Sequence, residues 1–117
     1  MPIIAAIAMV DKYRTIAINE EVVGYLHFYG NIVSEEDPKQ FKGVLLAIEW
    51  VGSLKISKVR DILSEQSKVR KVAILMKNWG GIERYFVQFE YYPREKPIRN
   101  TQAFLESQVN WLKKILS

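Results

Sequence analysis

The sequence predicts an α+β fold in a single domain of 117 residues. The first third of the chain alternates apolar and polar residues as strands do, whereas the middle and the end carry apolar residues at helical spacing. A chain of this length is too short to split into two cores. With 49% hydrophobic and 26% charged residues, its composition is that of a globular protein.

The first 36 residues predict a strand-rich extension. Residues 3–10 form an apolar run, and residues 13–18 and 22–29 are rich in β-branched and aromatic residues that alternate between two faces. Residues 19–21 read Asn-Glu-Glu, a composition typical of a turn. We therefore expect this third of the chain to form strands.

A helix is predicted from Asp37 onward. Asp37 fits the N-cap, Pro38 the first helical position and Gln40 the third, where their side chains suit the start of a helix. Apolar residues then recur at steps of three or four until Gly52, namely Phe41, Val44, Leu45, Ile48 and Val51. A second, shorter helix is predicted near Ser57, with one apolar side formed by Val59, Ile62 and Leu63.

Residues 68–79 allow two interpretations. As a strand, Val69–Met76 is a continuous apolar run that turns at residues 78–81 into a second strand at Ile82–Tyr92. As a helix, the segment has one apolar stripe, formed by Val69, Val72, Ala73, Met76 and Trp79, and Gly80 lies where a helix ends. The helix leaves Ile74 and Leu75 off the stripe, and propensity favours the strand.

Residues 93–97 are expected to form a loop, and a last helix is predicted over residues 101–116. Asn100 or Thr101 fits its N-cap. The helix has two apolar stripes side by side, Leu105, Val109, Leu112 and Leu116 in one and Phe104, Trp111 and Ile115 in the other. A helix that is apolar over so wide an arc needs two partners, so we expect it to pack on the core and to join two subunits in a homodimer.

The order of segments after residue 40 resembles a known family. The stretches FKGVLLAIEWVGSL, KISKVRDILSEQ, SKVRKVAILMKNWGG and IERYFVQFEYY follow one another, and PIRNTQAFLE opens the last helix. This order resembles the winged helix-turn-helix family of DNA-binding domains, and KNWGGIERY resembles the end of a recognition helix that runs into its wing. The resemblance covers residues 41–106.

The resemblance implies a winged-helix-like centre at residues 37–99, between a strand-rich extension at residues 1–36 and a helix at residues 100–117. Without the resemblance, the residues predict an α+β antiparallel sheet with three helices. The spacing of apolar residues before Gly80 matches what a recognition helix buries, which would place Trp79 in the core.

The net charge of +4 is unevenly distributed along the chain. Residues 1–37 carry a net charge of −4, residues 38–100 carry +7 and residues 101–117 carry +1. A basic segment beside an acidic one indicates a polarised surface, and polyanions are the usual partners of the basic side. Because the basic segment coincides with the family resemblance, we expect a nucleic-acid partner, with DNA preferred.

The resemblance also implies which residues contact DNA. A recognition helix at residues 67–79 would expose its N-terminal half to base edges, and the preceding helix and the wing would contact phosphates. The candidate nucleic-acid-binding residues are Lys55, Lys58, Ser67, Lys68, Arg70, Lys71, Arg94, Lys96 and Arg99. The implied function is that of a dimeric regulator of transcription that binds double-stranded DNA.

Two other functions remain open. Six Tyr, five Phe and three Trp are many for this length, and a sheet that exposes aromatic rings beside basic residues binds single-stranded nucleic acid by stacking. An exposed Trp79 would indicate stacking, and a buried Trp79 would favour the winged helix. The third hypothesis is a non-enzymatic protein-interaction factor that uses the acidic N-terminal third.

Enzymatic functions find little support in the residues. The chain has no cysteine, which excludes thiolate metal sites, disulfides and cysteine nucleophiles. His27 is the single histidine, and we interpret it as structural or surface-exposed. We expect no metal, no cofactor and no catalytic residues.

The apolar run of residues 2–10 is far shorter than the roughly 20 residues that cross a bilayer, and no basic segment precedes it, so we expect a cytoplasmic protein that does not bind membranes.

Overall fold

The computed structural model describes residues 12–93 and 98–117, and this part of the chain forms one five-stranded antiparallel sheet with two helices. In chain order the elements are β1 (Tyr13–Ile18), β2 (Glu21–Val33), β3 (Phe41–Trp50), α1 (Ile56–Ser64), β4 (Val69–Trp79), β5 (Ile82–Tyr91) and α2 (Thr101–Leu116). The strands lie in the order β1-β2-β3-β5-β4, and all neighbours are antiparallel. The edges of the sheet are therefore β1 and β4.

Both helices pack on one face of the sheet, which we call the helix face. Strand pairing aligns one row of apolar side chains across this face, formed by Leu26, Ile48, Val87 and Ile74. Helix α1 adds Val59 and Leu63 to the same core, and α2 adds Leu105, Val109, Leu112 and Leu116. Burial of these side chains provides the main driving force for folding.

The two apolar stripes of α2 both pack within the chain. Asn100 is the N-cap, and its Oδ1 accepts a hydrogen bond of 3.1 Å from Ala103 N. In the second stripe, the Phe104 ring lies 6.1 Å from the Phe28 ring, and the Trp111 ring lies 5.5 Å from the Tyr91 ring, measured between centroids. The width of the apolar arc therefore does not require a second subunit, and a homodimer through residues 101–116 stays a prediction.

The helix predicted over residues 41–51 is wrong, because this segment is strand β3. The strand is the middle one of the sheet, and Leu46, Ala47 and Ile48 are all completely buried. A strand buried on both faces has a nearly continuous apolar run, and such a run also satisfies helical spacing. Asp37 does not cap a helix; its Oδ1 accepts a hydrogen bond of 3.1 Å from Lys39 N in the turn before β3.

The ambiguous segment is also a strand, so the winged-helix centre is wrong. Residues 69–79 form β4, which pairs with β5 along its length, and the recognition helix predicted at residues 67–79 does not form. The turn between the strands has Gly80 at φ +59° and Gly81 at φ +84°, which suits a tight hairpin turn. The broad α+β class and the antiparallel sheet of the alternative fit. The described residues contain two helices and not three, because residues 41–50 form a strand.

Other predictions agree with the structure. The strands at residues 13–18 and 82–92, the helix near Ser57 and the last helix are confirmed. The turn at residues 19–21 is confirmed by the positive φ angles of Asn19 and Glu20. The apolar run of residues 3–10 and most of the loop at residues 93–97 lie outside the described residues. No helix in residues 12–93 and 98–117 has the length and apolar character needed to cross a membrane.

Candidate functional site

The face of the sheet opposite the helix face, which we call the open face, concentrates aromatic and charged side chains. Neither α1 nor α2 packs on it. Strand pairing places two rows of side chains across it: Tyr13, His27, Ala47, Gln88 and Ala73 in one, and Thr15, Tyr25, Glu49, Phe86 and Leu75 in the next. Because successive strand residues alternate between faces, Lys77, Trp79, Ile82 and Arg84 follow on the same face.

A buried carboxylate lies at the centre of the open face. Glu49, on β3, is 7% exposed. Its Oε2 accepts a hydrogen bond of 2.7 Å from Arg84 Nε, and its Oε1 accepts one of 2.5 Å from Arg84 Nη2. His27 Nε2 lies 3.4 Å from Glu49 Oε1. Such a two-point pair between a carboxylate and a guanidinium fixes both side chains.

The same contacts determine the protonation of Glu49. The hydrogen bonds from Arg84 hold the pKa of the Glu49 carboxyl below its ordinary value, and the positive charge of Arg84 adds to this effect. Burial acts in the opposite direction and raises the pKa, but it does not outweigh the guanidinium. Glu49 is therefore ionised at neutral pH, and its charge compensates that of Arg84.

Aromatic rings surround this ion pair. The His27 ring lies 5.6 Å from the Tyr13 ring, 6.5 Å from the Tyr29 ring and 5.9 Å from the Phe86 ring, measured between centroids. Tyr25 meets Tyr13 edge to face at 6.1 Å. Tyr13 and Tyr29 remain 45% and 41% exposed, so their rings are accessible from solvent.

A lysine from the edge strand reaches over this group of rings. Lys77 Nζ lies 5.0 Å from the Phe86 ring centroid and 5.4 Å from the Tyr29 ring centroid. It also lies 3.4 Å from the Tyr29 hydroxyl. These are cation–π contacts, which hold the ammonium group at the aromatic surface while leaving it partly solvated.

The turn of the β4–β5 hairpin carries the most exposed aromatic side chain of the open face. Trp79 is 65% exposed, and Ile82, its partner across the strands, is 67% exposed. Arg84 Cζ lies 5.1 Å from the Trp79 ring centroid. We call Lys77, Trp79 and Arg84 the hairpin corner.

The basic residues predicted from the sequence lie apart from this corner. Lys55 and Lys58 lie at the start of α1, Ser67 and Lys68 in the turn before β4, and Arg99 just before α2. Arg70 and Lys71 are on β4, at the end far from the hairpin turn. Arg94 and Lys96 lie outside the described residues. The structure therefore brings Ser67, Lys68, Arg70 and Lys71 together, but not as one face of a helix.

Sequence reasoning missed the centre of the open face. Glu49 and Arg84 are 35 residues apart, and the sequence predicts a helix around Glu49, so their contact has no sequence signal. The sequence does single out Trp79 as the residue whose exposure distinguishes a stacking surface from a winged helix. In the structure Trp79 is exposed, which favours the stacking surface. In the described residues no three His, Asp or Glu side chains are close enough to hold a metal ion.

Comparison with other proteins adds no functional information. No family model matches the chain, and neither a curated protein nor a solved structure does. The arguments for a function therefore rest on the side chains of the open face.

Proposed function

We propose that this protein binds single-stranded nucleic acid on the open face of its sheet. The observation that carries the proposal is the exposed Trp79 ring beside Lys77 and Arg84, on a sheet face that neither α1 nor α2 covers. Aromatic rings next to basic side chains on a sheet are typical of proteins that bind single strands by stacking.

The exposed rings offer several stacking positions. Trp79 is 65% exposed, and Tyr13 and Tyr29 are each more than 40% exposed. Stacking of a base on such a ring contributes roughly 1–3 kcal/mol per base and works with every base, because each has a π face. Tyr13 and Tyr29 lie on the neighbouring strands β1 and β2, so their rings can accept bases from one continuous chain.

The charges of the open face favour stacking over purely electrostatic binding. Arg84 is compensated by Glu49, so this pair adds little net charge. Lys77 is placed beside the rings and can contact a phosphate. Each phosphate contact with a single strand gives a slope of about −0.7 in log K against log salt. We therefore expect a shallow salt dependence at this corner.

Unpaired bases fit this surface better than a duplex does. Ring faces stack on bases only when the bases are not already stacked in a helix, whereas duplex readout needs an element that enters a groove. Residues 67–79 form a strand and its preceding turn, so the docking geometry implied by the winged-helix resemblance does not arise from that segment. The proposal therefore follows the stacking alternative.

The test is a binding titration monitored by fluorescence anisotropy. Ten-nucleotide single-stranded DNA, ten-nucleotide single-stranded RNA and a duplex of the same sequence are compared at about 50 mM and about 200 mM salt. Trp79→Ala and Tyr29→Ala should each weaken single-strand binding about tenfold, which corresponds to about 1.4 kcal/mol.

Tyr85→Ala is the matched control. Tyr85 lies next to Arg84 on β5 and is 43% exposed, but its side chain lies on the opposite face of the hairpin, paired with Met76. This variant should bind like the wild type. Tighter binding of the duplex, or equal weakening in the Tyr85 and Trp79 variants, would contradict the proposal.

A further inference from the structure

A β-bulge near the start of β4 directs two adjacent cations to the open face. The register between β4 and β5 shifts between Arg70 and Ala73, and Lys71 has a positive φ of +54°. Arg70 is opposite Glu90, and Lys71 Nζ lies 3.7 Å from Glu90 Oε2. In a regular strand, neighbouring residues point to opposite faces. The bulge instead brings Lys71 Nζ to the Glu90 carboxylate, on the same face where Arg70 is the register partner of Glu90.

An aromatic ring lies beside these cations. The Tyr92 hydroxyl donates a hydrogen bond to Glu90 Oε1. The ring lies over Gly43 on β3, where a Cβ atom would come within 2.8 Å of Tyr92 Cδ1, so a glycine is needed for the ring to lie this close to the strand. We call Arg70, Lys71 and Tyr92 the bulge corner. Like the hairpin corner, it combines an aromatic ring with basic side chains.

The cations of the bulge corner are accessible. The Lys71 side chain is 78% exposed, whereas Glu90 is 16% exposed. Arg70 is exposed, and its Nη1 donates hydrogen bonds of 2.5 Å to the Ser67 carbonyl and 2.9 Å to the Val69 carbonyl. One carboxylate thus faces two cations, and the bulge corner keeps a net positive charge.

The two corners are separated by a defined distance along β4. Arg70 and Lys77 are opposite Glu90 and Arg84, which are six residues apart on β5, so the corners are about 20 Å apart at roughly 3.3 Å per strand residue. The side chains of β4 and β5 that lie on the open face between them are uncharged, namely Ala73, Leu75, Phe86 and Gln88. No carboxylate of these two strand segments would repel a phosphate chain there.

On the basis of the proposed function, we infer that the bound single strand runs along β4 from the hairpin corner to the bulge corner. Lys77 contacts its phosphates at one end, and Arg70 and Lys71 contact them at the other. Trp79 and Tyr92 are the stacking rings at the two ends. The site would then select strands long enough to span about 20 Å, on the order of four nucleotides or more, in the range of site sizes of sheet-surface binders.

Basic residues on an edge strand also have a simpler role, because they prevent edge strands from pairing with other chains. The two roles differ in their dependence on ligand length. Residues that only protect the edge would not affect nucleic-acid affinity at any ligand length. We call the path of the bound strand along β4 the track, and residues at its far end would affect the affinity of long ligands only.

The test is a length series of single-stranded oligothymidylates and oligouridylates of three, six, nine and twelve nucleotides. The variants are Lys77→Ala, and Lys71→Asn combined with Arg70→Gln, in which Asn tolerates the positive φ of position 71. Lys113→Ala, on the exposed side of α2, is the control. Thermal unfolding of each variant verifies that the fold is retained.

The Lys77 variant should weaken binding severalfold at all lengths. The double variant should bind the trimer like the wild type and weaken binding of the nine- and twelve-nucleotide strands severalfold, with a salt slope smaller by about 0.7 for each phosphate that the variant no longer neutralises. If the double variant matches the wild type at every length while Trp79→Ala still weakens binding, the track is refuted and the proposed function stands. If no oligonucleotide binds to the wild type, both are refuted.

Discussion

Lys77 Nζ lies 3.4 Å from the Tyr29 hydroxyl, although β5 and β3 separate their strands in the sheet. Three strand spacings amount to about 14 Å, so the two side chains extend toward each other across the open face. They meet above Phe86, whose ring centroid is 5.0 Å from the same Nζ. This contact joins an edge strand to the aromatic group on β2 and makes the hairpin corner part of one continuous surface.

The ion pair beneath this surface should be important for stability. Glu49→Gln removes the charged partner of Arg84 and should lower the free energy of unfolding at neutral pH by about 1.5–3 kcal/mol, the range for hydrogen bonds to charged groups. Urea unfolding measures the change. Asp61→Asn, which removes an exposed pair with Arg60, is the control and should cost less than about 1 kcal/mol.

The same pair predicts how stability depends on pH. The folded-state pKa of Glu49 is lowered, first by the hydrogen bonds from Arg84, so its contribution is fully present above the ordinary pKa of 4.5. That contribution disappears as the pH falls below 4.5 and through the lowered value. The stability difference between wild type and Glu49→Gln should therefore shrink in acid. A constant difference from about pH 7 to about pH 3 would contradict the structure around Glu49.

The exposure of Trp79 can be measured without any ligand. Trp79 is 65% exposed, whereas Trp50 and Trp111 are half-buried, and Trp50 Nε1 donates a hydrogen bond of 2.7 Å to the Leu54 carbonyl. Iodide should quench the fluorescence of Trp79 most strongly. Trp79→Phe should remove most of the quenchable emission, and Trp111→Phe should leave it. The reverse pattern would mean that the hairpin turn is covered in solution.

The hairpin turn should depend on its positive φ angles. Gly80→Val places a β-branched residue at φ +59° and should destabilise the protein by about 1–2 kcal/mol, the cost of a left-handed conformation. Gly80→Asn should be tolerated better, because Asn adopts this conformation more readily. A steric clash does not affect the comparison, since no heavy atom of the described residues, apart from Gly80 itself and its two chain neighbours, lies within 4 Å of the Gly80 Cβ position. Equal stability of the two variants, measured by urea unfolding, would contradict the turn geometry.

Local signals predicted several elements correctly. Asn100 caps α2 as its side-chain chemistry suggests, and the turn of positive φ angles at Asn19 and Glu20 joins two strands whose residues have high β propensity. These elements are specified by neighbouring residues. Prediction failed at residues 41–51, because the central position of β3 in the sheet produces an apolar run on both faces that no local rule separates from a helix.

The open face could be predicted only in part. The abundance of tyrosine on strands indicated an aromatic surface, but strand pairing decides that Tyr25 and Tyr29 lie on the open face while Tyr91 packs against α2. The pair of Glu49 and Arg84 depends on the register between β3 and β5. Register is a property of the whole sheet, so these contacts follow from the fold and not from a motif.

The central claim is tested most directly by NMR of the three tryptophan indole N–H signals during titration with a nine-nucleotide single strand. The Trp79 signal should shift, and those of Trp50 and Trp111 should stay in place, because these two rings pack on the helix face. Assignment follows from the single Trp→Phe variants. Binding that leaves the Trp79 signal unchanged, or the absence of any change at millimolar ligand, would contradict a stacking site on the open face.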